Sequence, residues 1–298
     1  EVGRQRARAP LREQARREQE HEHERAEHER DADERELGEP DAAGACVVAG
    51  ATVGIDHVGI TVPDLNQAVE WFEDILGAVA PLTFGPFEGI EGAVDVVTGT
   101  RIDQIKMLRV GRSANIELFQ YQAPGQRHAM PRNSDWSGHH VAFYVTDIAE
   151  AVAYMDSRGV QRLFGPFTLT DGPAAGQSIN YFKTPWGGYV EFISYPNGMA
   201  YEQTAKKTLW SPKRNGLRST VTKVPGLLGI DHVGMTVPNL AIAAEWLEQK
   251  LGFFNPLTFG PFSDPTGDFM TQLVDVDRAA VVQQIRMFGG GNGPNIEL

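Results

Sequence analysis

The stretch "DHVGITVPDL" (residues 56–65) sets a histidine inside an otherwise apolar, β-branched run. It returns with small changes as "HHVAFYVTDI" (139–148) and as "DHVGMTVPNL" (231–240). With His57, His140 and His232 as origins, the seventh residue onward is Asp64, Asp147 or Asn239, each a helix N-cap type. Gln67 and Glu150 stand where a capping box wants them. Apolar residues then recur at helical spacing, at Leu65, Val69, Phe72 and Leu76 and again at Ile148, Val152 and Met155. Gly77, Gly159 and Gly252 close the three helices as C-cap glycines.

The tetrapeptide "FGPF" follows at 84–87, 164–167 and 259–262. Each copy ends in a strand that carries a glutamate: "NIELFQY" (115–121), "GYVEFISYP" (188–196) and "NIEL" (295–298). The chain is therefore read as three copies of one unit of strand, helix and several strands. Residues 122–136 and 197–227, rich in Pro, Gly and polar types, read as connections.

Strand side chains alternate faces, so His57 shares a side with Gly59 and Thr61, and Glu117 with Asn115 and Phe119. His140 likewise goes with Ala142 and Tyr144, and Glu191 with Tyr189 and Ile193. If the first and last strands of a unit are neighbours, each unit offers one imidazole and one carboxylate to one face. Two facing units would offer two of each, a set suited to a divalent metal with room for substrate oxygens. A lone strand histidine is ordinarily a satisfied core residue, and a lone "IEL" glutamate an edge residue. Three of the five histidines beyond the tail fall at one repeat position, each with its glutamate, and that recurrence favours ligation. An ionised carboxylate on an inner face is costly unless paired or metal-bound.

"GIDHVGITVPDLNQAVEWFEDILG", "IELF", "GHHVAFYVTDIAEAVAYMDSRGV" and "TPWGGYVEFISYP", in that order, resemble the vicinal oxygen chelate superfamily. That superfamily includes glyoxalase I, methylmalonyl-CoA epimerase, extradiol dioxygenases, fosfomycin-resistance enzymes and bleomycin-binding proteins. The resemblance implies an α+β fold of paired βαβββ modules forming a cup around one divalent ion (Zn, Ni, Co, Mn or Fe(II)), with no organic cofactor. Carried over residue by residue, it implies His57, Glu117, His140 and Glu191 as ligands. His139 competes with His140, but only His140 aligns with His57. Glu191 or Glu117 would move a proton beside a carbonyl while the metal stabilises an enolate or enediolate. The expected activity is that of a lyase, isomerase or epimerase on a small substrate with neighbouring oxygens. An Fe(II) or Mn(II) extradiol-type dioxygenase and a metal-free binding or resistance protein are the alternatives.

The expected organisation is a charged, disordered tail (1–48), a complete two-module domain (49–200), a linker (201–227) and a third, incomplete module (228–298). His232 and Glu297 supply an incomplete second ligand set. Truncation, pairing with another chain's third module into a homodimer, or a packing role would each account for it, with truncation favoured. Residues 1–40 hold nine Arg, thirteen acidic residues and His21, His23 and His28, with almost no large aliphatics, so a solvated charge run is expected there.

The net charge is −12, and the folded part is acidic as well, which argues against nucleic acid. The single Cys46 excludes an internal disulfide and fits a reducing cytoplasm. No apolar run reaches membrane-span length. Arg101, Lys106 and Arg109 read as solvated strand-face charges, and the FGPF strings as structural turns. Trp186 reads either as a cavity wall or as a turn aromatic packed on its own hairpin.

Overall fold

The computed structural model describes residues 53–220 and 223–298. The expected charged tail and Cys46 lie outside the described residues. The first unit comprises β1 (His57–Thr61), α1 (Leu65–Trp71) running on into one π turn (Phe72–Leu76), β2 (Val79–Phe84), β3 (Arg101–Arg109) and β4 (Asn115–Gln122). The second comprises β5 (His139–Val145), α2 (Ile148–Ser157), the short β6 (Gln161–Arg162) and β7 (Phe167–Thr168), β8 (Ser178–Lys183) and β9 (Tyr189–Ser194). The third comprises β10 (Leu227–Met235), α3 (Leu240–Leu251), β11 (Phe254–Phe259), α4 (Phe269–Val274), β12 (Ile285–Gly289) and β13 (Asn295–Glu297). The expected α+β class and repeated module are present.

The expected caps explain where the helices start and stop. Asp64 Oδ1 accepts from the Gln67 amide at 3.0 Å and Asp147 Oδ1 from the Glu150 amide at 3.1 Å. Asn239 Oδ1 accepts from the amides of Ala241 and Ile242. Gly77, Gly159 and Gly252 take φ values of 72°, 69° and 71°, a left-handed conformation that a residue with a Cβ adopts only with strain. Each FGPF string contains a cis Gly–Pro bond.

The way the units join differs from the expected arrangement. The first unit forms its own four-stranded sheet in the order β1-β4-β3-β2. The second and third units share a nine-stranded sheet, because β10 pairs antiparallel with β5. Units one and two meet instead through the faces opposite their histidines. One core holds Ile60, Ile116 and Leu118 of the first sheet, Phe72, Leu76, Val152 and Met155 of the helical segments, and Val141, Phe143, Val190 and Phe192 of the second sheet. Trp186 packs edge-on against Trp71 and tilted against Phe72, and Tyr154 Oη donates to the Ile75 carbonyl at 3.1 Å. Trp186 thus joins units rather than walling a site.

The segment expected as a linker has structure of its own. It holds a 3₁₀ turn (Ala200–Gln203), and Met199, Tyr201 and Leu209 are buried with Ala142, Tyr144 and Ile193 against the nine-stranded sheet. The Tyr201 hydroxyl accepts from the Leu209 amide at 3.0 Å. Arg101 pairs with Asp103 at 2.6 Å, in keeping with a solvated strand-face charge. No helix among the described residues is long and apolar enough to cross a membrane.

Candidate metal centre at the junction of β5 and β10

The antiparallel β5–β10 pair brings two histidines to one face. His140 stands opposite Gly234, and His232 opposite Ala142, about the pair Val141–Val233. Each small residue leaves room for the ring across from it. A Cβ on Gly234 would fall 2.0 Å from His140 Cε1, so no side chain fits there while His140 keeps its place. The parallel neighbours then add the carboxylates, Glu191 on β9 beside β5 and Glu297 on β13 beside β10.

The four expected ligands are therefore divided between two sheets. His140 and Glu191 come together with His232 and Glu297. His57 and Glu117 come together in the first sheet, with Nε2 and Oε2 3.2 Å apart. The third unit is paired with the second, and among the described residues it is the first unit that has no strand partner across its histidine strand. Units one and two pack back to back, whereas β10 of the third unit pairs along the edge of β5.

Glu191 Oε2 lies 3.1 Å from His140 Nε2 and 3.3 Å from His232 Nε2, and the two nitrogens are 3.4 Å apart. Glu297 is looser, at 3.8 Å from His140 Nε2 and 3.7 Å from His232 Nε2. His140, Glu191 and His232 are all buried. Burial raises the Glu191 carboxyl, but the two imidazoles outweigh it and hold it down to about 2. Burial lowers His232, and Asp231 and Glu191 outweigh that, leaving it well above the ordinary histidine value. Burial pushes Glu297 up.

These residues fit a divalent ion. Glu191 Oε2 is buried with no hydrogen bond of acceptable geometry, despite two nitrogens within 3.3 Å. Asp231 Oδ1 takes the Nδ1 side of His232 at 3.0 Å, so in the neutral ring Nε2 presents a bare lone pair to the cluster. Converging acceptors call for a cation between them. Tetrahedral donors about 2.0–2.1 Å from zinc stand about 3.3 Å apart, the spacing found between the first three groups.

Sequence reading missed the groups behind the candidate ligands. Asp231 and His232 are chain neighbours, and strict alternation would send them to opposite faces. A register shift between Ile230 and His232 makes Asp231 the extra residue of a β-bulge, which turns its carboxylate to His232. The Tyr195 hydroxyl donates to Asp231 Oδ2 from behind. The Tyr181 hydroxyl lies 3.4 Å from His140 Nε2. The doubled "DH" at 56–57 and 231–232 was the available signal. His139, the competitor, turns away and meets the Ser137 carbonyl at 3.1 Å.

Residues 56–181 match the family model described as Glyoxalase/Bleomycin resistance protein/Dioxygenase superfamily. A 2-epi-5-epi-valiolone epimerase of Actinomyces sp is 44% identical over 165 residues, covering 54% of this chain and 90% of that relative. The chain belongs to the glyoxalase/bleomycin resistance/dioxygenase superfamily.

Solved structures of the superfamily's kind align more distantly. A putative dioxygenase from Bacillus subtilis is 15% identical with a TM-score of 0.49; the alignment covers 83% of this chain but only 64% of that one. A glyoxalase family protein from Bacillus cereus is 19% identical with a TM-score of 0.41, covering 49% of this chain and 97% of that one. The Leishmania major glyoxalase I is 19% identical with a TM-score of 0.32, covering 47% and 84%. Likeness at this level says nothing of activity.

Proposed function

We propose that the chain is a metal-dependent epimerase of small polyhydroxylated ring ketones, working at His140, Glu191, His232 and Glu297. The observation that carries the reading is the convergence of His140, Glu191 and His232, all buried, whose ligand atoms lie within 4.8 Å of one another. The substrate class rests on the relative at 44% identity, which bears the name 2-epi-5-epi-valiolone epimerase.

His140, Glu191 and His232 would hold the ion, with Glu297 as a further ligand or as the reacting base. When bound, the ion supplies Lewis-acid polarisation of a carbonyl and its neighbouring oxygen. Glu191 is pinned between two imidazoles and stays ionised, which suits a fixed ligand. Glu297 stands further from both and keeps some solvent access, which suits a carboxylate that moves. Glu297 removes the proton beside the carbonyl and releases it to solvent, and a solvent proton delivered to the opposite face of the ring inverts the carbon. Asp231 and Tyr195 hold the His232 ring in place from behind.

The test is to incubate the metal-loaded protein with 2-epi-5-epi-valiolone in D₂O and follow the ring protons by NMR. Epimerisation with deuterium incorporated at the inverted carbon is expected, and Glu297→Gln should abolish it while metal content stays. Oxygen consumption with ring cleavage, or ligand retention without exchange, would overturn the reading.

A further inference from the structure

Tyr181 stands opposite Glu191 across β8 and β9, and the next pair on that face is Lys183 opposite Tyr189. Lys183 and Tyr189 therefore share the face of the candidate metal centre, about 7 Å further along the strands. An acid from the third unit meets them there. Asp275 Oδ2 accepts from the Tyr189 hydroxyl at 2.7 Å and pairs with the Lys183 ammonium. That ammonium also lies 5.7 Å from the centre of the Tyr189 ring. Asp275 ends α4 with a φ of 57°, a left-handed conformation uncommon outside glycine. Backbone held in that region gathers at active sites and ligand clamps. The Lys183 and Asp275 side chains are 25% and 32% exposed, against 3% for Glu191, so both charged heads stay within reach of a ligand.

The repeated fold does not require this cluster. Tyr189 pairs with His140 where Asn115 pairs with His57 and Asn295 with His232. The first unit likewise sets Arg109 opposite Asn115 where the second sets Lys183 opposite Tyr189. Histidine and glutamate recur in all three units, whereas the tyrosine is particular to the second.

We propose, resting on the epimerase reading of the same centre, that Lys183, Tyr189 and Asp275 recognise the hydroxyls of a ring ketone on the side remote from the metal. They would set the preference for polyhydroxylated substrates. A hydroxyl donates and accepts at once, so an ammonium beside a carboxylate offers it one partner of each kind. The offset of about 7 Å along the strands suits the reach from the chelated oxygens of such a ring to the hydroxyls on its far side. Lys183 and Asp275 balance each other's charge, so the cluster suits neutral hydroxyls rather than a phosphate or carboxylate group.

Isothermal titration calorimetry of the metal-loaded full chain tests this with two ketones. One is 2-epi-5-epi-valiolone; the other is 2-hydroxycyclohexanone, which keeps neighbouring oxygens and lacks the remaining hydroxyls. The wild type is expected to bind the first at least about tenfold more tightly, as hydrogen bonds to charged groups allow. Asp275→Asn, which tolerates the left-handed backbone, and Lys183→Met should each remove most of that preference. Binding of 2-hydroxycyclohexanone and metal content should stay unchanged, whereas a mere tie between units would weaken both ketones alike. Tyr189→Phe replaces either variant that does not fold. No preference in the wild type, a preference kept by the variants, or equal loss for both ketones overturns the proposal. A preference that depends on Asp275, without proton exchange in D₂O, sinks the epimerase reading alone. Epimerisation with a preference that survives the variants sinks the recognition role alone.

Discussion

His140 Nε2 and His232 Nε2 lie 3.4 Å apart although 92 residues separate them in the chain. The antiparallel pairing of their strands and the absence of a side chain at Gly234 make that approach possible. Gly234→Ala should therefore push the His140 ring aside. We expect it to destabilise the fold by about 1–3 kcal/mol, the usual range for overpacking a filled interior. Gly92→Ala, where a Cβ meets nothing within 4 Å, should stay within about 0.5 kcal/mol of wild type. Urea unfolding of the two variants makes the comparison.

Tyr195 acts on the site through Asp231. Its hydroxyl donates to Asp231 Oδ2, and Asp231 Oδ1 orients His232. Tyr195→Phe leaves a buried carboxylate oxygen without its donor, at about 1–3 kcal/mol of stability. The freed carboxylate also orients the ring less well, so metal affinity should fall about tenfold or more. Urea unfolding and competition with a chromophoric chelator read the two effects separately.

Alkaline conditions should destabilise the protein through its buried phenols. Burial first, and then the charge of Asp231, pushes the Tyr144 hydroxyl up to about 12. The folded state holds this proton more tightly than the unfolded chain, whose tyrosines titrate near 10. The associated stability is complete below about pH 10 and is lost as pH rises toward 12. Tyr144→Phe should be nearly neutral at pH 7, where the Tyr144 hydroxyl has no hydrogen-bond partner, and should remove about 2 kcal/mol of the alkaline loss. Thermal melts of both proteins from pH 8 to 12 would show the difference in slope.

The modules and their caps were legible because their signals are local. Asp64, Asp147 and Asn239 act within three residues of themselves, and the left-handed glycines act at single positions. The nearness of His140 and Glu191 was legible too, once the first and last strands of a unit are taken as neighbours. Which units face each other was not. Strand pairing between β5 and β10 is long-range, and Trp71, Phe72 and Trp186, which hold units one and two back to back, look in sequence like ordinary core or turn aromatics. The role of Asp231 was hidden for another reason, as a bulge breaks the alternation from which faces were assigned.

The second and third units together are expected to hold the ion. Metal content by inductively coupled plasma mass spectrometry, after dialysis against a weak chelator, tests it most directly. The wild type should retain about one ion per chain at a site of this donor set. His140→Ala with His232→Ala should lose that ion, and His57→Ala with Glu117→Ala should keep it. Loss from the His57 and Glu117 variant together with retention in the His140 and His232 variant would contradict the account.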